Sequence, residues 1–331
     1  MPCERSPSGT CRAPASGSPT DGNVDRPQAL SLSIRVSVVT AASKSEHVHI
    51  ASRERKTVAA TSEVTSVLEL PDVERMIEGF SGYATGKTIS LVVIDDPGSV
   101  TLDPEAAREQ IESHAIDAVE RHGKNIVLRF RSEHSLVFEM EDGGSIYLES
   151  QTVPPDDNSR IRLQFAAGRE LRFDSPSNRH VVHLLANGDS STLGGPRSLG
   201  IDPLSDDLTA EKFIEVSTAH PRSSLKGMLM NPAAIAGIGN EYADEICFQA
   251  GYRPDLRVGQ MTDDELARVH LYLRRVLKRA TLHWQAAHAD PGWLINHRVK
   301  GKPCPRCSTK LTTINLIGRK TYICVRCQQA A

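Results

Sequence analysis

The motif Cys304-Pro-Arg-Cys307, followed sixteen residues later by Cys324-Val-Arg-Cys327, decides the fold at the C-terminal end of this chain. In each Cys-x-x-Cys pair two thiolates can bind the same metal ion, and a hairpin between the pairs brings all four sulfurs together. Four thiolates leave no coordination position for water or substrate, which is typical of structural zinc. We therefore predict one structural Zn²⁺, bound by Cys304, Cys307, Cys324 and Cys327, that holds a zinc ribbon over residues 298–331.

The ribbon and the segment before it are strongly basic. From Pro291 to Ala331 the sequence has no Asp or Glu, and its basic residues are Arg298, Lys300, Lys302, Arg306, Lys310, Arg319, Lys320 and Arg326. A basic zinc ribbon favours contact with nucleic acid; a ribbon that binds protein or only caps the chain is the alternative. Because the formal net charge of the whole chain is −2, this basic surface is local and acidic residues elsewhere offset it.

The composition of the 331 residues, of which 39% are hydrophobic, allows two or three domains with their own cores. No apolar run approaches the roughly 18 residues that a membrane-spanning helix needs, so we expect no membrane association. The other cysteines, Cys3, Cys11 and Cys247, are scattered, which together with the metal-type spacing indicates a reducing compartment. We expect a cytoplasmic location in a bacterium and a nuclear or organellar one in a eukaryote.

Hydrophobic periodicity divides the chain into segments. Residues 1–66 are rich in Ser, Pro, Gly and Thr, so we expect a disordered extension or sequence translated from a mis-assigned start. Residues 67–200 contain one helical pattern and then about seven short alternating or β-branched runs, which predicts a β-sandwich. Residues 201–297 have helical spacing, including a long helix over 262–283. With the zinc ribbon, the predicted fold class is a multidomain α+β protein.

The segment Asn231-Pro-Ala-Ala-Ile-Ala-Gly-Ile-Gly-Asn240-Glu-Tyr-Ala-Asp-Glu-Ile246 connects two of the predicted helices. Gly237 and Gly239 permit a tight backbone turn, and the free N–H groups of the helix that follows favour an anion. Asn240 can cap this helix or donate a hydrogen bond to a phosphate oxygen. By itself, the motif is explained as well by an ordinary helix cap as by a phosphate site.

This segment, continuing through Phe248, Gly251 and Pro254, closely resembles the helix-two-turns-helix segment of the formamidopyrimidine-DNA glycosylase and endonuclease VIII family. Further stretches resemble other markers of that family and follow in its order: Glu69-Leu-Pro-Asp-Val-Glu74, Gly123-Lys124, Leu199-Gly-Ile-Asp-Pro-Leu-Ser-Asp-Asp207, Lys300-Gly-Lys-Pro-Cys304 and Arg319-Lys-Thr-Tyr-Ile-Cys324. Together they cover roughly residues 68–328. The resemblance implies an N-terminal β-sandwich, a helix-two-turns-helix domain and a C-terminal zinc finger.

The resemblance also implies base-excision repair of duplex DNA, with a damaged base flipped into a pocket, its glycosidic bond broken and the strand cut by elimination. It implies that Lys124, Asn240 and Arg319 contact DNA phosphates around the lesion, and that Glu69 moves protons while the sugar ring opens. Simpler interpretations are a solvated turn lysine for Lys124 and a strand or helix-cap acid for Glu69. We expect a monomer whose partner is damaged or abasic duplex DNA.

The chain departs from the family pattern at the nucleophile. Family members begin at a processed N-terminal residue, usually proline, whose α-amine attacks the sugar C1′; its pKa of about 7.7–8.0 leaves free base at neutral pH. The matching position is Leu68, whose nitrogen is an amide in a peptide bond to Val67 and is no nucleophile. A start at Val67, if it is encoded by GTG, would give Met-Leu-Glu-Leu-Pro, still without the leading proline.

The segments expected to face the lesion differ as well. The loop that carries His and an inserted Met in relatives reads Glu139-Met-Glu-Asp-Gly-Gly144, and Pro176-Ser-Asn-Arg179 replaces a Pro-Arg-Arg-Phe run. A wedge that replaces a stacked base must be apolar, and Asp142 would be repelled by phosphates.

Two functions stay open. One is a DNA glycosylase with abasic-site lyase activity, whose nucleophile is unusual, such as Lys124 or the α-amine of a corrected start. The other is a non-catalytic relative that binds damaged DNA and has lost the N-terminal nucleophile.

Overall fold

The structure of the protein is a computed structural model that describes residues 68–101, 103–140, 143–176, 182–186 and 199–329. The prediction for residues 1–66, a disordered extension or a mis-assigned start, lies outside the described residues.

The first part of the described chain is a β-sandwich with two helices. Its elements are α1 (Leu70–Ala84), β1 (Ile89–Ile94), α2 (Pro104–Ile111), β2 (Ile116–His122), β3 (Asn125–Phe130), β4 (His134–Glu139), β5 (Ser145–Ser150), β6 (Ser159–Phe165), β7 (Arg169–Asp174) and β8 (Val182–Ala186). Within the described ranges the strands form two four-stranded antiparallel sheets, ordered β1-β6-β7-β5 and β2-β3-β4-β8. The predicted sandwich is therefore confirmed.

The sandwich core forms because alternate strand residues point inward. On β3 these residues are Ile126, Leu128 and Phe130, and they join Ile161, Leu163 and Phe173 of the other sheet in one buried cluster. Two elements escaped the sequence prediction. Helix α2 buries only Ala107 and Ile111, which are too few apolar residues to show a helical period in the sequence. In β8, His183 interrupts the apolar run.

A helical region follows, with α3 (Ala210–Thr218), α4 (Leu225–Leu229), α5 (Asn240–Ala250), α6 (Asp263–Leu282) and α7 (Trp284–Ala289). Helix α6 confirms the long helix expected over 262–283, and it starts with a capping box in which Glu265 N donates to Thr262 Oγ1. Its apolar stripe is buried: Leu266, Val269, Leu273, Val276 and Leu277. Across the part of the chain that the structure covers, no helix has the length and apolar character needed to cross a membrane.

The chain ends in a two-stranded hairpin, β9 (Thr312–Leu316) and β10 (Arg319–Ile323). Ile317 and Gly318 join the strands, both with positive φ, as a tight two-residue hairpin turn requires. The hairpin packs through Leu311 and Tyr322 against Phe248 of α5 and Leu294. The predicted architecture of β-sandwich, helical domain and zinc ribbon is thus confirmed.

One arginine joins three parts of the fold. Arg121, on β2 and only 5% exposed, pairs with Glu74 of α1 at 2.6 Å and with Asp202, before α3, at 2.6 Å. It also donates to Gly123 O at 3.1 Å. Helix α1 itself packs against β2, β5 and α6. The sandwich and the helical region are therefore tied together at the start of α1.

Candidate nucleic-acid interface

The four ribbon cysteines meet at one point. Their sulfurs lie within 4.8 Å of one another, with Cys304 Sγ 3.9 Å from Cys327 Sγ and Cys307 Sγ 3.4 Å from Cys324 Sγ. Tetrahedral zinc with Zn–S bonds of about 2.3 Å separates sulfurs by roughly 3.8 Å, so these residues fit one ion. Arg306 N donates to Cys304 Sγ at 3.4 Å, the kind of second contact that orients a thiolate ligand. The four cysteines are placed to bind one structural zinc ion, as predicted.

The basic surface of the ribbon is narrower than the sequence suggests. Arg298 is 10% exposed and turns inward to pair with Glu241 at 2.6 Å and Asp244 at 3.2 Å. Arg306 lies over the ring of Phe248 at 4.5 Å. Arg319, in contrast, is exposed at the first position of β10, beside the hairpin turn. Of the eight basic residues of the ribbon, Arg298 is therefore the one withdrawn from solvent, and the other seven are exposed.

Asn240 is the first residue of α5, whereas Gly239 is the N-cap, so the expectation that Asn240 caps this helix is wrong. The Asn240 side chain instead accepts a hydrogen bond at Oδ1 from Lys226 Nζ at 2.7 Å. Gly237 has φ +89°, which confirms that a tight turn precedes the helix and explains glycine there. Asn240 as a whole is half-buried.

The N-terminus of α5 is occupied by a carboxylate of the chain itself. Glu69, which is buried, accepts from Gly239 N at 2.8 Å, Glu241 N at 2.7 Å and Tyr242 N at 3.2 Å. The expectation that these N–H groups are free for an external anion is therefore wrong. Glu69 is a helix-cap acid, as its simpler interpretation holds: it is the N-cap residue of α1, and its side chain caps α5, which is far away in the sequence.

Gly239 is required by this contact. A Cβ added at Gly239 would lie 2.3 Å from Glu69 Cδ, well inside van der Waals distance. The side chain of Glu69 thus fills the space that any larger residue at position 239 would need.

The environment of Glu69 makes its carboxyl group titrate near neutral pH. Burial raises its pKa from the ordinary value of 4.5 to about 7, against the positive charge of Lys124 and the hydrogen bonds from Glu241 and Tyr242. Lys124 is half-buried in the turn between β2 and β3. A carboxyl group with such a pKa is suited to both donating and accepting a proton.

Leu68 precedes Glu69 directly and is half-buried, with its side chain packed against the sandwich core. The position that the family resemblance assigns to the nucleophile is therefore next to the carboxyl group with the raised pKa. Glu69 N donates to Asp72 Oδ2 at 2.9 Å, which fixes the backbone at this point.

Behind Glu69 lies a polar network that the sequence did not reveal. Tyr242 Oη is 3.3 Å from His288 Nε2, His288 Nδ1 is 2.9 Å from Trp284 O, and Trp284 Nε1 is 3.4 Å from Asp72 Oδ1. The network meets Glu69 at both ends, because Tyr242 N donates to the Glu69 carboxylate and Glu69 N donates to Asp72. Its members come from three helices, so no local motif connects them in the sequence.

The loops expected to face the lesion are described only in part. Met140 is fully buried in the sandwich core, and Glu139 Oε1 lies 3.1 Å from His183 Nε2. Met140 is therefore not an exposed wedge. Residues 141–142 and 177–179 lie outside the described ranges, and so do the expectations for Asp142 and Arg179.

Sequence reasoning also missed Lys226, which is completely buried. The signal was present in the segment Leu225-Lys226-Gly227-Met228-Leu229, where a lysine stands inside an otherwise apolar short helix. Buried lysines are rare and are paired when they occur.

Three family models match the chain. The formamidopyrimidine-DNA glycosylase N-terminal domain matches residues 67–181, the H2TH domain of the same glycosylase matches 199–287, and a zinc finger found in FPG and IleRS matches 301–330. Together these ranges cover more than half of the chain.

Relatives align over most of their own length. Formamidopyrimidine-DNA glycosylase of Symbiobacterium thermophilum is 30% identical over 272 residues, which are 78% of this chain and 88% of the relative. The enzyme of that name from Photobacterium profundum is 28% identical over 274 residues, 79% of this chain and 99% of the relative.

A solved complex between Lactococcus lactis Fpg and DNA with an abasic site is similar in fold, with a TM-score of 0.70 at 20% identity over 79% of this chain and 100% of that chain. A complex of the same protein with DNA containing N7-benzyl-Fapy-dG gives the same values. The matched domains follow one another as the sandwich, the helical region and the ribbon do here, and the chain belongs to the formamidopyrimidine-DNA glycosylase family.

Proposed function

We propose that this protein binds damaged duplex DNA as a monomer in base-excision repair and acts on it as a DNA glycosylase with abasic-site lyase activity. The relatives carry the name formamidopyrimidine-DNA glycosylase, and the solved Lactococcus lactis complexes hold abasic-site or Fapy-dG DNA. In this chain the observation that carries the proposal is the buried carboxyl group of Glu69, with its pKa near 7, beside the position of the family's nucleophile.

The DNA contacts in this proposal come from Lys124, Asn240 and Arg319. The exposure of Arg319 beside the hairpin turn supports a phosphate contact there, as does the position of the half-buried Asn240 at the start of α5. The electrostatic effect of Lys124 on Glu69 supports its location near the reacting sugar. Such contacts hold the duplex in register and act without regard to base sequence.

The proposed chemistry follows from the protonation of Glu69. At neutral pH this group is present in both forms, so it can donate a proton to the sugar ring oxygen as the ring opens and take a proton back later. In the lyase step a free amine condenses with the C1′ aldehyde of the opened abasic sugar and releases water. The imine then loses a C2′ proton as the 3′ phosphate leaves, and hydrolysis frees the amine.

This chain departs from its family at the residue that would supply the attacking amine. An amide nitrogen at Leu68 is no nucleophile, so the lyase step through this position requires an N-terminus at residue 68. Lys124 is the second candidate nucleophile because its charge acts on Glu69.

Borohydride trapping on abasic duplex DNA tests the proposal, since it reduces the imine to a stable covalent adduct. The full chain is compared with a variant that lacks residues 1–67 and carries Leu68→Pro directly after a new initiator Met, which is removed efficiently before proline. We expect the full chain, in which the Leu68 nitrogen is an amide, to trap little and the proline variant to trap readily, which would assign the lyase activity to a form of the protein that begins at residue 68.

Other outcomes decide between the remaining functions. If the full chain traps as fast as the proline variant and Lys124→Ala abolishes trapping, a side-chain nucleophile is at work. If neither protein traps while both bind abasic duplex, the enzymatic proposal is wrong and the non-catalytic damaged-DNA-binding function takes its place.

A further inference from the structure

Lys226, in the short helix α4, makes a complete set of hydrogen bonds inside the protein. Its Nζ donates to Asn240 Oδ1 at 2.7 Å, Asp244 Oδ1 at 2.5 Å and Thr321 Oγ1 at 2.8 Å. An ammonium group has three protons and accepts nothing, so these partners use all of them. Lys226, Asp244 and Thr321 are each fully buried.

The buried charges in this network balance locally. Asp244 on α5 pairs with Lys226 and, at 3.2 Å, with Arg298; Arg298 pairs in turn with Glu241. Asp244 Oδ2 also accepts from Tyr322 N of the hairpin at 3.3 Å. A buried ion pair of this kind is costly to desolvate and contributes little net stability, although it fixes one arrangement of the groups around it.

The network determines which end of the Asn240 amide is available to a ligand. Because the ammonium group only donates, Asn240 has to turn its oxygen toward Lys226. The NH₂ end of the amide then points away from Lys226, and it is the end that donates hydrogen bonds. A donor is what a phosphate oxygen requires.

The same ammonium group holds the hairpin. Thr321 and Arg319 are two positions apart on β10 and therefore share one face of the strand. On this face Thr321 is buried and contacts Lys226, whereas Arg319 lies at the exposed end of the strand beside the turn. One buried nitrogen thus contacts both the helix and the strand that carry the two residues.

We propose that Lys226 is a positioning residue for DNA binding, which orients the Asn240 amide and fixes the hairpin so that Asn240 and Arg319 engage neighbouring phosphates as one unit. This proposal rests on the proposed function, because it assumes that both residues contact DNA. Lys226 itself touches no DNA, and its effect on binding runs through Asn240 and Thr321.

The test is a double-mutant cycle on binding of the full chain to a fluorescent abasic duplex at several salt concentrations. We expect Lys226→Met to weaken binding about tenfold and by the same factor as Asn240→Ala at each salt concentration, because the contact that both changes remove is made by an uncharged amide. The double variant should bind within about twofold of Lys226→Met alone, because both changes remove the same contact. A purely structural role for Lys226 would lower the melting temperature without this shared loss.

Two further variants complete the design. Lys212→Met is the matched control. Lys212 is partly exposed and pairs with Glu215 at 2.8 Å, so this variant removes one charge without touching the network, and binding should be unchanged. Thr321→Val keeps the Lys226–Asp244 pair and the Asp244–Tyr322 bond; it removes the bond from Lys226 to the hairpin, together with the long bond from Thr321 Oγ1 to Arg319 O at 3.4 Å. We expect it to weaken binding severalfold and non-additively with Arg319→Ala; this variant decides the question if Lys226→Met does not fold.

The proposal is overturned if Asn240→Ala weakens binding while Lys226→Met does not, or if the losses of the two variants multiply. It is also overturned if Thr321→Val and Arg319→Ala act independently in a folded, zinc-loaded protein. If the parent chain itself shows no salt-dependent binding to abasic duplex, the proposed function fails, which is a separate result.

Discussion

Glu69 and Gly239 are 170 positions apart in the sequence, and Glu69 Oε2 accepts a hydrogen bond from Gly239 N at 2.8 Å. The carboxylate takes the place of an N-cap side chain for α5, where it also interacts favourably with the helix dipole. The contact ties the first turn of α1 to the motif between α4 and α5. The acid proposed for proton transfer is therefore held by the same turn that positions Asn240.

Gly239→Ala should disrupt this contact. The new Cβ would lie 2.3 Å from Glu69 Cδ and 2.5 Å from Glu69 Oε1, so the carboxylate has to leave the helix terminus. We expect the free energy of unfolding to fall by about 1–3 kcal/mol, as for other overpacked sites. Urea unfolding measures this loss. Gly82→Ala is the control, since Gly82 lies in α1 with no atom within 4 Å of the added Cβ, and it should be neutral or stabilising. Equal losses in both variants would refute the steric argument.

Glu69 should make stability depend on pH. Its pKa is 4.5 ordinarily and about 7 in the fold, so between these values the folded protein holds a proton that the unfolded chain has released. The corresponding stabilisation is complete below about pH 4.5 and is lost as the pH rises to about 7, a change of roughly 3 kcal/mol.

Glu69→Gln cannot titrate, so its free energy of unfolding should decline less steeply than that of the parent between pH 5 and 7. Part of the slope should remain, because burial also raises the pKa of Glu245 to about 7. Glu78→Gln, exposed on the same helix, controls for the loss of a charge. Parallel curves for Glu69→Gln and the parent would show that Glu69 does not titrate in this range.

Zinc should be present at about one ion per chain, and Cys324→Ser should lose it. The hairpin packs on Phe248 through residues next to the ligands, so metal loss should also weaken DNA binding. Elemental analysis of the purified protein gives the stoichiometry. Cys247→Ala, at a buried thiol in α5 that is not one of the four grouped sulfurs, should retain the ion. A metal content near zero in metal-replete protein would contradict the prediction.

Arg319→Ala should weaken binding to every duplex sequence and lower the slope of log affinity against log salt by about one contact. Fluorescence anisotropy at several salt concentrations measures the slope. Arg326→Ala removes the same charge from another exposed position of the ribbon and should have a smaller effect. If the two variants lose affinity equally, the ribbon binds DNA through its overall positive charge and not through a specific phosphate contact at Arg319.

Local patterns were enough to predict most of the fold. The alternation in Ile126, Leu128 and Phe130 marked a half-buried strand, and the spacing of Cys304 and Cys307 marked the metal site, because both signals come from neighbouring residues. The contact between Glu69 and Gly239 depends on the packing of two distant segments. For that reason the N-terminus of α5 was wrongly predicted to be free for an external anion, whereas the Glu69 carboxylate occupies it.

Charged residues were the least predictable part of the site. Arg298 looks in the sequence like one of the basic surface residues of the ribbon, and Lys226 is a single charge in an otherwise apolar short helix; the fold places both beside Asp244. A charged side chain is buried only where another element supplies a partner, and the hydrophobic periodicity of a sequence does not identify that partner. The DNA contacts that the family resemblance implies, among them those of Lys124 and Asn240, stay predictions.

The ion pairs of Arg121 with Glu74 and Asp202 have a consequence for how the protein adapts to a ligand. Since they join the sandwich, α1 and the helical region, relative movement of these parts would expose charges that are now paired. The DNA then has to deform when the protein binds, and the free energy needed to kink the duplex varies with the base step. Abasic sites flanked by flexible pyrimidine–purine steps should accordingly be bound more tightly than the same sites within stiff A-tracts.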